Sequence, residues 1–248
     1  MLALEVNNLS LTLGNRRLVT GLNWQVRQGE FWCVLGRNGA GKSTLLHALS
    51  GLQSIDDGRV LMMGRSVEDF TLAELAKLRG LMPQQIVDRF SDSVGNAVAI
   101  ARAPWRLGSA WRDDDDRSYV TPALERVGML DRIDDDVMHL SGGERQRVAF
   151  AAMLVQNPAL ILLDEPCSHQ DIAQQQAMMR LIQELAVDHA VIASCHDINL
   201  AARFASHVLL LGEEFYYAGS TQEVLNPAVL SRVYGCEFDD TATSIVAV

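Results

Sequence analysis

Short stretches of alternating apolar and polar residues fill the first thirty positions of the chain, and turn-forming residues separate them. Residues 4–6, 11–13 and 22–26 carry this period of two, which predicts antiparallel strands with one buried face. Residues 31–35 are apolar throughout and end at Gly36, a pattern typical of a strand that is buried on both faces. Helical spacing follows over residues 42–50, so the pattern predicts a strand, a glycine-containing loop and a helix in succession.

The middle of the chain, about residues 86–140, shows no strand pattern and is predicted to be a helical subdomain inserted into the sheet. Just before it, Thr71 and Glu74 form a capping box at the start of a helix that we expect Gly80 to end. Within the insertion, residues 94–103 and 122–129 have helical spacing.

Strand patterns return after the insertion. Residues 160–163 and 190–193 are apolar, and a helical pattern over 172–185 lies between them, which is typical of a βαβ unit and predicts a parallel sheet. Residues 207–211 extend this sheet, and a C-terminal tail of about 221–248 begins with two short helices. We therefore predict one α/β domain over residues 1–248, with a mostly parallel core sheet and an N-terminal antiparallel β subdomain.

Composition excludes several classes of function. The 248 residues include 31 Asp and Glu against 21 Lys and Arg, and the formal net charge of -10 disfavours nucleic acid as a partner. Apolar runs all fall short of the roughly 20 residues that span a bilayer, and the N-terminus lacks a signal-peptide pattern, so we expect a chain that is neither secreted nor transmembrane. The four cysteines lack metal-site spacing, which indicates a reducing compartment.

A phosphate-binding loop stands between the buried strand and the helix that follows it. The pattern G-x-x-x-x-G-K-[ST] lets glycine amides approach phosphate oxygens, and the helix N-terminus adds partial positive charge. Lys42 would reach the β- and γ-phosphates of a nucleotide, and the Ser43 hydroxyl would bind Mg²⁺. The residues predicted to bind nucleotide here are Gly36, Arg37, Asn38, Gly39, Ala40, Gly41, Lys42, Ser43 and Thr44.

Hydrolysis also needs a carboxylate near the phosphates, and the strand over residues 160–163 ends in two of them. Asp164 would hold the metal through water, and Glu165 would polarise the attacking water. We therefore predict an enzyme that hydrolyses a nucleotide with the help of Mg²⁺.

A second anion site is predicted where Ser141, Gly142, Gly143 and Glu144 open another helix. Ser141 is a good N-cap residue, and the first amides of such a helix attract phosphate. Because one chain folds a single phosphate-loop site, a second phosphate-binding helix end indicates that the γ-phosphate comes from a partner subunit.

With these motifs in this order, nearly the whole chain resembles the nucleotide-binding subunit of an ATP-binding-cassette (ABC) transporter. Residues 140–144, Leu-Ser-Gly-Gly-Glu, match the signature of that family. The resemblance implies that Gln84 contacts Mg²⁺ and links the site to the helical subdomain, that residues 168–171 form the D-loop, and that His196 is the switch histidine. His196 follows an apolar strand parallel to that of Glu165, so its imidazole can reach a γ-phosphate at the same sheet edge.

The chain departs from the family pattern at three positions. Leu13 stands where an aromatic residue usually stacks on adenine, and Gln170 and Cys167 replace the usual D-loop residues. Leu13 can offer only apolar contact to a purine ring, so we expect the phosphates to supply most of the affinity; the alternative is that Arg16 or Arg17 covers the base.

Two copies would hold ATP between the loop of one chain and the signature of the other, and transmembrane permease subunits would dock near the Q-loop. The resemblance is strongest to bacterial importers of iron-siderophores, haem and cobalamin, whose ATPase subunits do not bind the cargo and lie on the cytoplasmic face of the inner membrane. The alternatives are a soluble cassette ATPase that acts on DNA or ribosomes, an exporter ATPase subunit, and a nucleotide sensor without turnover.

Overall fold

A computed structural model describes residues 1–86, 90–105, 116–168, 170–213, 215–240 and 245–247. Its strands are β1 (Leu2–Leu13), β2 (Arg16–Arg27), β3 (Phe31–Gly36), β4 (Asp57–Met62), β5 (Arg65–Ser66), β6 (Arg79–Met82), β7 (Leu160–Leu163), β8 (Ala190–Ser194), β9 (His207–Leu211), β10 (Tyr216–Ser220), β11 (Phe238–Asp240) and β12 (Ile245–Ala247). Its α-helices are α1 (Lys42–Leu49), α2 (Leu72–Leu78), α3 (Val94–Ala99), α4 (Asp116–Arg126), α5 (Gly142–Gln156), α6 (Ile172–Leu185), α7 (Ile198–Phe204), α8 (Thr221–Val224) and α9 (Pro227–Tyr234).

The core sheet has the order β10-β9-β3-β8-β7-β6, and every neighbouring pair from β9 to β6 is parallel. The strands β3, β7 and β8 are buried at every position, as their continuous apolar sequences predict. The predicted α/β class with a mostly parallel core sheet is confirmed, because β10 alone among the described strands of this sheet runs antiparallel to its neighbour.

A separate antiparallel sheet of order β2-β1-β4-β5 forms the N-terminal part. The alternating pattern of the first thirty residues produces one long hairpin of two 12-residue strands. Register shifts interrupt this hairpin at several points, which explains why the sequence showed short bursts of alternation. Six short strands were not predicted, because their sequences carry little alternation of their own: β4, β5, β6, β10, β11 and β12.

Alternate side chains of each core strand enter two different hydrophobic cores. Trp32, Val34 and Leu162 pack with the N-terminal sheet and α1, whereas Cys33, Leu163 and Val191 pack with helices on the other face. The sheet is therefore a middle layer, and its carboxyl-end edge stays open between the two outer layers. Among the described residues, no helix combines the length and the apolar character needed to cross a bilayer.

The helices between β6 and β7 pack on one another around α5. The expected helix over 94–103 is α3 followed by a 3₁₀ segment from Ile100 to Trp105, and α4 begins before the predicted start at 122. The helices expected over 42–50, 172–185 and the tail lie at α1, α6 and α8–α9.

Gly80 does not end a helix, and that expectation is wrong. The capping box of Thr71 and Glu74 is present, but α2 ends at Leu78 and Gly80 lies within β6, opposite Ile161 of β7. A Cβ at Gly80 would lie 2.0 Å from Sδ of Met153 in α5. The absence of a side chain at Gly80 therefore lets Met153 of α5 pack directly against β6.

We predict that Gly80→Ala lowers the free energy of unfolding by about 1–3 kcal/mol, because the added methyl group overlaps the buried Met153 side chain. Met153→Ala should make the same Gly80→Ala change nearly neutral, since it removes the overlapping atoms. Urea unfolding of the wild type, the two single variants and the double variant measures the energetic coupling between positions 80 and 153. Strictly additive effects of the two substitutions would contradict the packing assignment.

Candidate active site

The carboxyl ends of β3, β7 and β8 meet at one edge of the core sheet, and most of the predicted site residues follow these strands. A cleft of about 390 Å³ lies at this edge. Its walls come from the end of the first hairpin, the glycine loop and the loops after β6, β7 and β8: Leu13, Leu18, Asn38, Gly39, Gly41, Lys42, Ser43, Thr44, Gln84, Glu165 and His196. Parallel strands thus bring together residues that are more than 150 positions apart in the sequence.

The loop after β3 has the backbone shape that its glycines permit. Gly41 precedes α1 in the left-handed region with φ of 93°, and a Cβ there would lie 2.9 Å from Leu18. A Cβ at Gly36 would lie 2.7 Å from the carbonyl oxygen of Leu211. These two positions accept only glycine without rearrangement, so the loop can present its amides and the N-terminus of α1 to an anion.

The side chain of Lys42 is buried, and its ammonium group is hydrogen-bonded to the glycine loop that precedes α1. Its Nζ donates to the carbonyl oxygen of Gly36 at 3.0 Å and approaches that of Arg37 at 3.5 Å. Burial lowers the pKa of Lys42, and the negative charges of Glu165 and Asp164 partly offset this effect. An ammonium held in this way is placed to exchange carbonyl oxygens for phosphate oxygens at little cost in side-chain entropy.

Asp164 and Glu165 lie at the end of β7, and one hydroxyl holds both residues. Ser194, at the end of β8, donates through Oγ to Oδ1 of Asp164 at 2.6 Å and accepts from the backbone N–H of Glu165 at 2.8 Å. The backbone of Glu165 has a φ of 50°, which is uncommon for a residue other than glycine and turns its carboxylate into the cleft. Ser194 was missed by sequence reasoning, because a buried serine at a strand end has no signature of its own.

Both oxygens of the Glu165 carboxylate are engaged. Gln84 donates through Nε2 to Oε2 at 2.8 Å, and Nε2 of His196 makes a short contact with Oε1. The structure therefore brings Gln84, Glu165 and His196 together at the edge of the cleft. A carboxylate in this position can accept a proton from a water molecule that the neighbouring side chains orient.

Mg²⁺ suits the oxygen donors that surround the loop. Ser43 offers a hydroxyl, Asp164 a carboxylate and Gln84 an amide oxygen, and hard oxygen ligands are those that Mg²⁺ prefers. The described residues contain no cluster of three or more His, Cys, Asp or Glu that would hold a metal alone. This donor set fits an ion that the protein shares with the phosphates of a nucleotide.

The signature residues lie elsewhere on the chain. Ser141 caps α5, as predicted, and the structure also shows a capping box between Ser141 and Glu144. The first turn of α5 includes Gly142 and Gly143. None of these four is among the described residues that line the cleft. The chain therefore presents two helix N-termini suited to phosphate at two separate places.

The D-loop positions are tied to α5. Gln146 donates to Oγ of Ser168 at 2.9 Å, and Gln170 donates to Oε1 of Gln146 at 2.9 Å. His169 lies outside the described residues. Gln170, which departs from the family pattern, thus forms an intrachain contact between the D-loop and the signature helix.

Leu13 lines the cleft and is 58% exposed. Arg16 and Arg17 line a neighbouring cavity of about 130 Å³ together with Arg37. The two cavities share Leu18, Asn38 and Gly39 as walls. An aliphatic side chain thus faces the cleft, and guanidinium groups stand beside it.

Comparison with known proteins places this geometry in a family. A family model described as ABC transporter matches residues 19–168, which is more than half of the chain. The hemin import ATP-binding protein HmuV of Deinococcus radiodurans is 38% identical over 242 residues, covering 95% of this chain and 91% of that protein. The ferric enterobactin transport ATP-binding protein FepC of Escherichia coli is 34% identical over 236 residues, covering 94% of this chain and 87% of that protein.

Solved structures agree with these relatives. A structure described as an inward-facing conformation of a metal-chelate type ABC transporter matches with a TM-score of 0.84 and 26% identity, over 100% of this chain and 96% of that chain. The cbiO1 protein of Clostridium perfringens, part of the ABC transporter complex cbiONQ, matches with a TM-score of 0.79 and 28% identity over 93% of each chain. The chain therefore belongs to the ABC transporter family and is one of its ATP-hydrolysing subunits.

Proposed function

We propose that this chain powers a membrane importer that takes up a metal chelate such as haem, an iron-siderophore or cobalamin. Relatives named for hemin import and ferric enterobactin transport, together with the metal-chelate type transporter structure, support this class of cargo. The cargo would bind to other subunits, since the cleft of this chain has the chemistry of a phosphate site. We place the chain on the cytoplasmic face of the membrane, bound to permease subunits.

The observation that carries the proposal is the carboxylate of Glu165, held by Gln84 and His196 at the edge of the glycine-loop cleft. In this proposal Glu165 accepts the proton of the attacking water. His196 orients Glu165 and contacts the γ-phosphate. Gln84, in the loop that follows β6, links the site to the helical subdomain. We propose residues 86–140 as the helical subdomain that moves with Gln84.

Lys42 and the amides of residues 36–44 bind the phosphates in this account. Ser43, Asp164 and Gln84 would hold Mg²⁺, which supplies charge neutralisation for the phosphate oxygens when it is bound. Asp164 is kept in place by Ser194, so the metal ligand and the catalytic carboxylate share one support.

We further propose that two copies close on two ATP molecules, because the signature residues lie outside the cleft of their own chain. Ser141 and the first amides of α5 would then bind the γ-phosphate held by the partner's loop. Loss of that phosphate would release the two copies and pass the motion to the permease.

We predict that Glu165→Gln slows hydrolysis by about two orders of magnitude or more, because an amide cannot accept the proton of water. The ATP-bound dimer should accumulate, and size-exclusion chromatography with Mg-ATP measures it.

Ser141→Arg in the same background should remove the dimer while the monomer still binds nucleotide. An undiminished dimer in the Ser141→Arg variant would contradict the trans arrangement, and wild-type hydrolysis in Glu165→Gln would contradict the role of Glu165.

We predict that Ser194→Ala lowers kcat by about tenfold, because a small displacement of a reacting group is costly in rate. It should also lower the free energy of unfolding by about 1–3 kcal/mol, since the Glu165 N–H loses its partner. Ser50→Ala is the matched control: Ser50 is fully buried and donates to the carbonyl oxygen of His47 at 2.7 Å, away from the cleft. Equal kcat values for both variants would show that Ser194 has only a structural role.

We predict that Leu13→Tyr tightens ATP binding by a factor of a few, because aromatic stacking adds about 0.5–1.5 kcal/mol beyond burial. Wild type should discriminate weakly between ATP and GTP, since its affinity comes mainly from the phosphates. Fluorescent-nucleotide titration measures both. An unchanged affinity in Leu13→Tyr with a strong wild-type preference for ATP, lost in Arg16→Ala, would instead assign base recognition to the arginines.

A further inference from the structure

The signature helix brings a carboxylate to the place where the proposed dimer needs to bind a phosphate. Glu144 is the third residue of α5, and its Oε2 accepts from the backbone N–H of Ser141 at 2.8 Å and from its hydroxyl at 2.7 Å. Hydrogen bonds from Ser141 lower the pKa of Glu144, and nearby arginines reinforce the shift. An ionised carboxylate therefore stands beside the amides that would receive the partner's γ-phosphate, and like charges repel there.

Arg132 contacts the other oxygen of the same carboxylate. Its Nη1 forms an ion pair with Oε1 of Glu144, and its Nε forms a second ion pair with Asp135. Arg132 ends a short 3₁₀ segment, Leu130–Arg132, and Asp135 fixes the direction of its guanidinium from the following turn. The Glu144 side chain is only 22% exposed, so its pairing with Arg132 is partly shielded from solvent.

The two oxygens of Glu144 thus serve different groups. Oε2 engages the hydroxyl of Ser141, which has to turn away if it is to donate to a phosphate. Oε1 is paired with Arg132, and a rotation of the Ser141 hydroxyl does not involve that contact. Arg147 adds a weaker favourable charge nearby, whereas Arg132 makes the direct ion pair.

We propose that Arg132 is a positioning residue that offsets the charge of Glu144, so that the N-terminus of α5 attracts the ATP held by a second copy of this chain. The proposal rests on the ATP-bridged dimer proposed above. Without Arg132, the negative charge of Glu144 cancels part of the positive charge at the N-terminus of α5 and repels the incoming phosphate. Arg132 acts through Glu144 and is not assigned a contact with the nucleotide.

A merely structural role predicts a different pattern. If Arg132 only fastened the turn at 130–135 to α5, its loss would have the same effect whatever the charge at position 144. If Arg132 compensates a charge, Glu144→Gln should remove the need for it, because glutamine also fits the N3 position of a capping box. The two roles are therefore separated by the coupling between positions 132 and 144.

The test measures ATP-dependent dimerisation by sedimentation in the full chain carrying Glu165→Gln. Arg132→Ala should weaken the dimer by about tenfold or more, and Arg132→Lys, which keeps the charge, should retain most of the affinity. Adding Glu144→Gln to Arg132→Ala should return the affinity to within about threefold of the Glu144→Gln variant alone. Arg132→Gln repeats the comparison with a side chain that keeps a donor but not the charge, in case the alanine variant folds poorly.

Arg126→Ala is the matched control, because it removes one positive charge from an exposed pair with Glu184 at 3.5 Å. It should leave dimerisation unchanged, since exposed pairs contribute little. If Arg132→Ala weakens the dimer equally with and without Glu144→Gln, the inference about Arg132 is overturned, whereas the proposal of an ATP-bridged dimer still stands. A parent chain that stays monomeric with Mg-ATP would overturn the proposed dimer and this inference with it.

Discussion

The hydroxyl of Ser194 joins the ends of two neighbouring strands, and the placement of Asp164 and Glu165 depends on it. It donates to Asp164 at the end of β7 and accepts from the backbone of Glu165 in the next position. A left-handed backbone at a residue other than glycine costs about 1–3 kcal/mol and persists only where the surrounding structure holds it. Here that support comes from β8, and the result is a carboxylate that faces the glycine loop.

On the proposed function, the chain divides phosphate binding between two helix N-termini. The first, at α1, lies in a cleft with Lys42 and Glu165, and the second, at α5, lies outside that cleft. On the proposed function, each copy supplies a cationic loop and a catalytic carboxylate to one ATP, and a signature helix to the other. Negative charge then opposes assembly, because the chain has a net charge of -10 and ATP adds further negative charge. In our proposal, the pairing of Arg132 with Glu144 offsets part of this negative charge at the N-terminus of α5.

Much of this site could be predicted from the sequence, because its chemistry depends on short, local patterns. The glycine loop, the acids after the apolar run of β7 and the cap of α5 each lie within a few consecutive residues. Ser194 and Gly80 could not be assigned in this way, because their roles come from contacts with residues 30 and 73 positions away. Arg132 is intermediate, since its partner is twelve positions distant and only the fold brings them together.

The central claim is that ATP is bound between two copies, and a structure of the Glu165→Gln chain with Mg-ATP tests it most directly. The account predicts that the γ-phosphate of each ATP is contacted by Lys42 of one copy and by Ser141 of the other. An ATP whose γ-phosphate is contacted by residues of a single copy alone would contradict it.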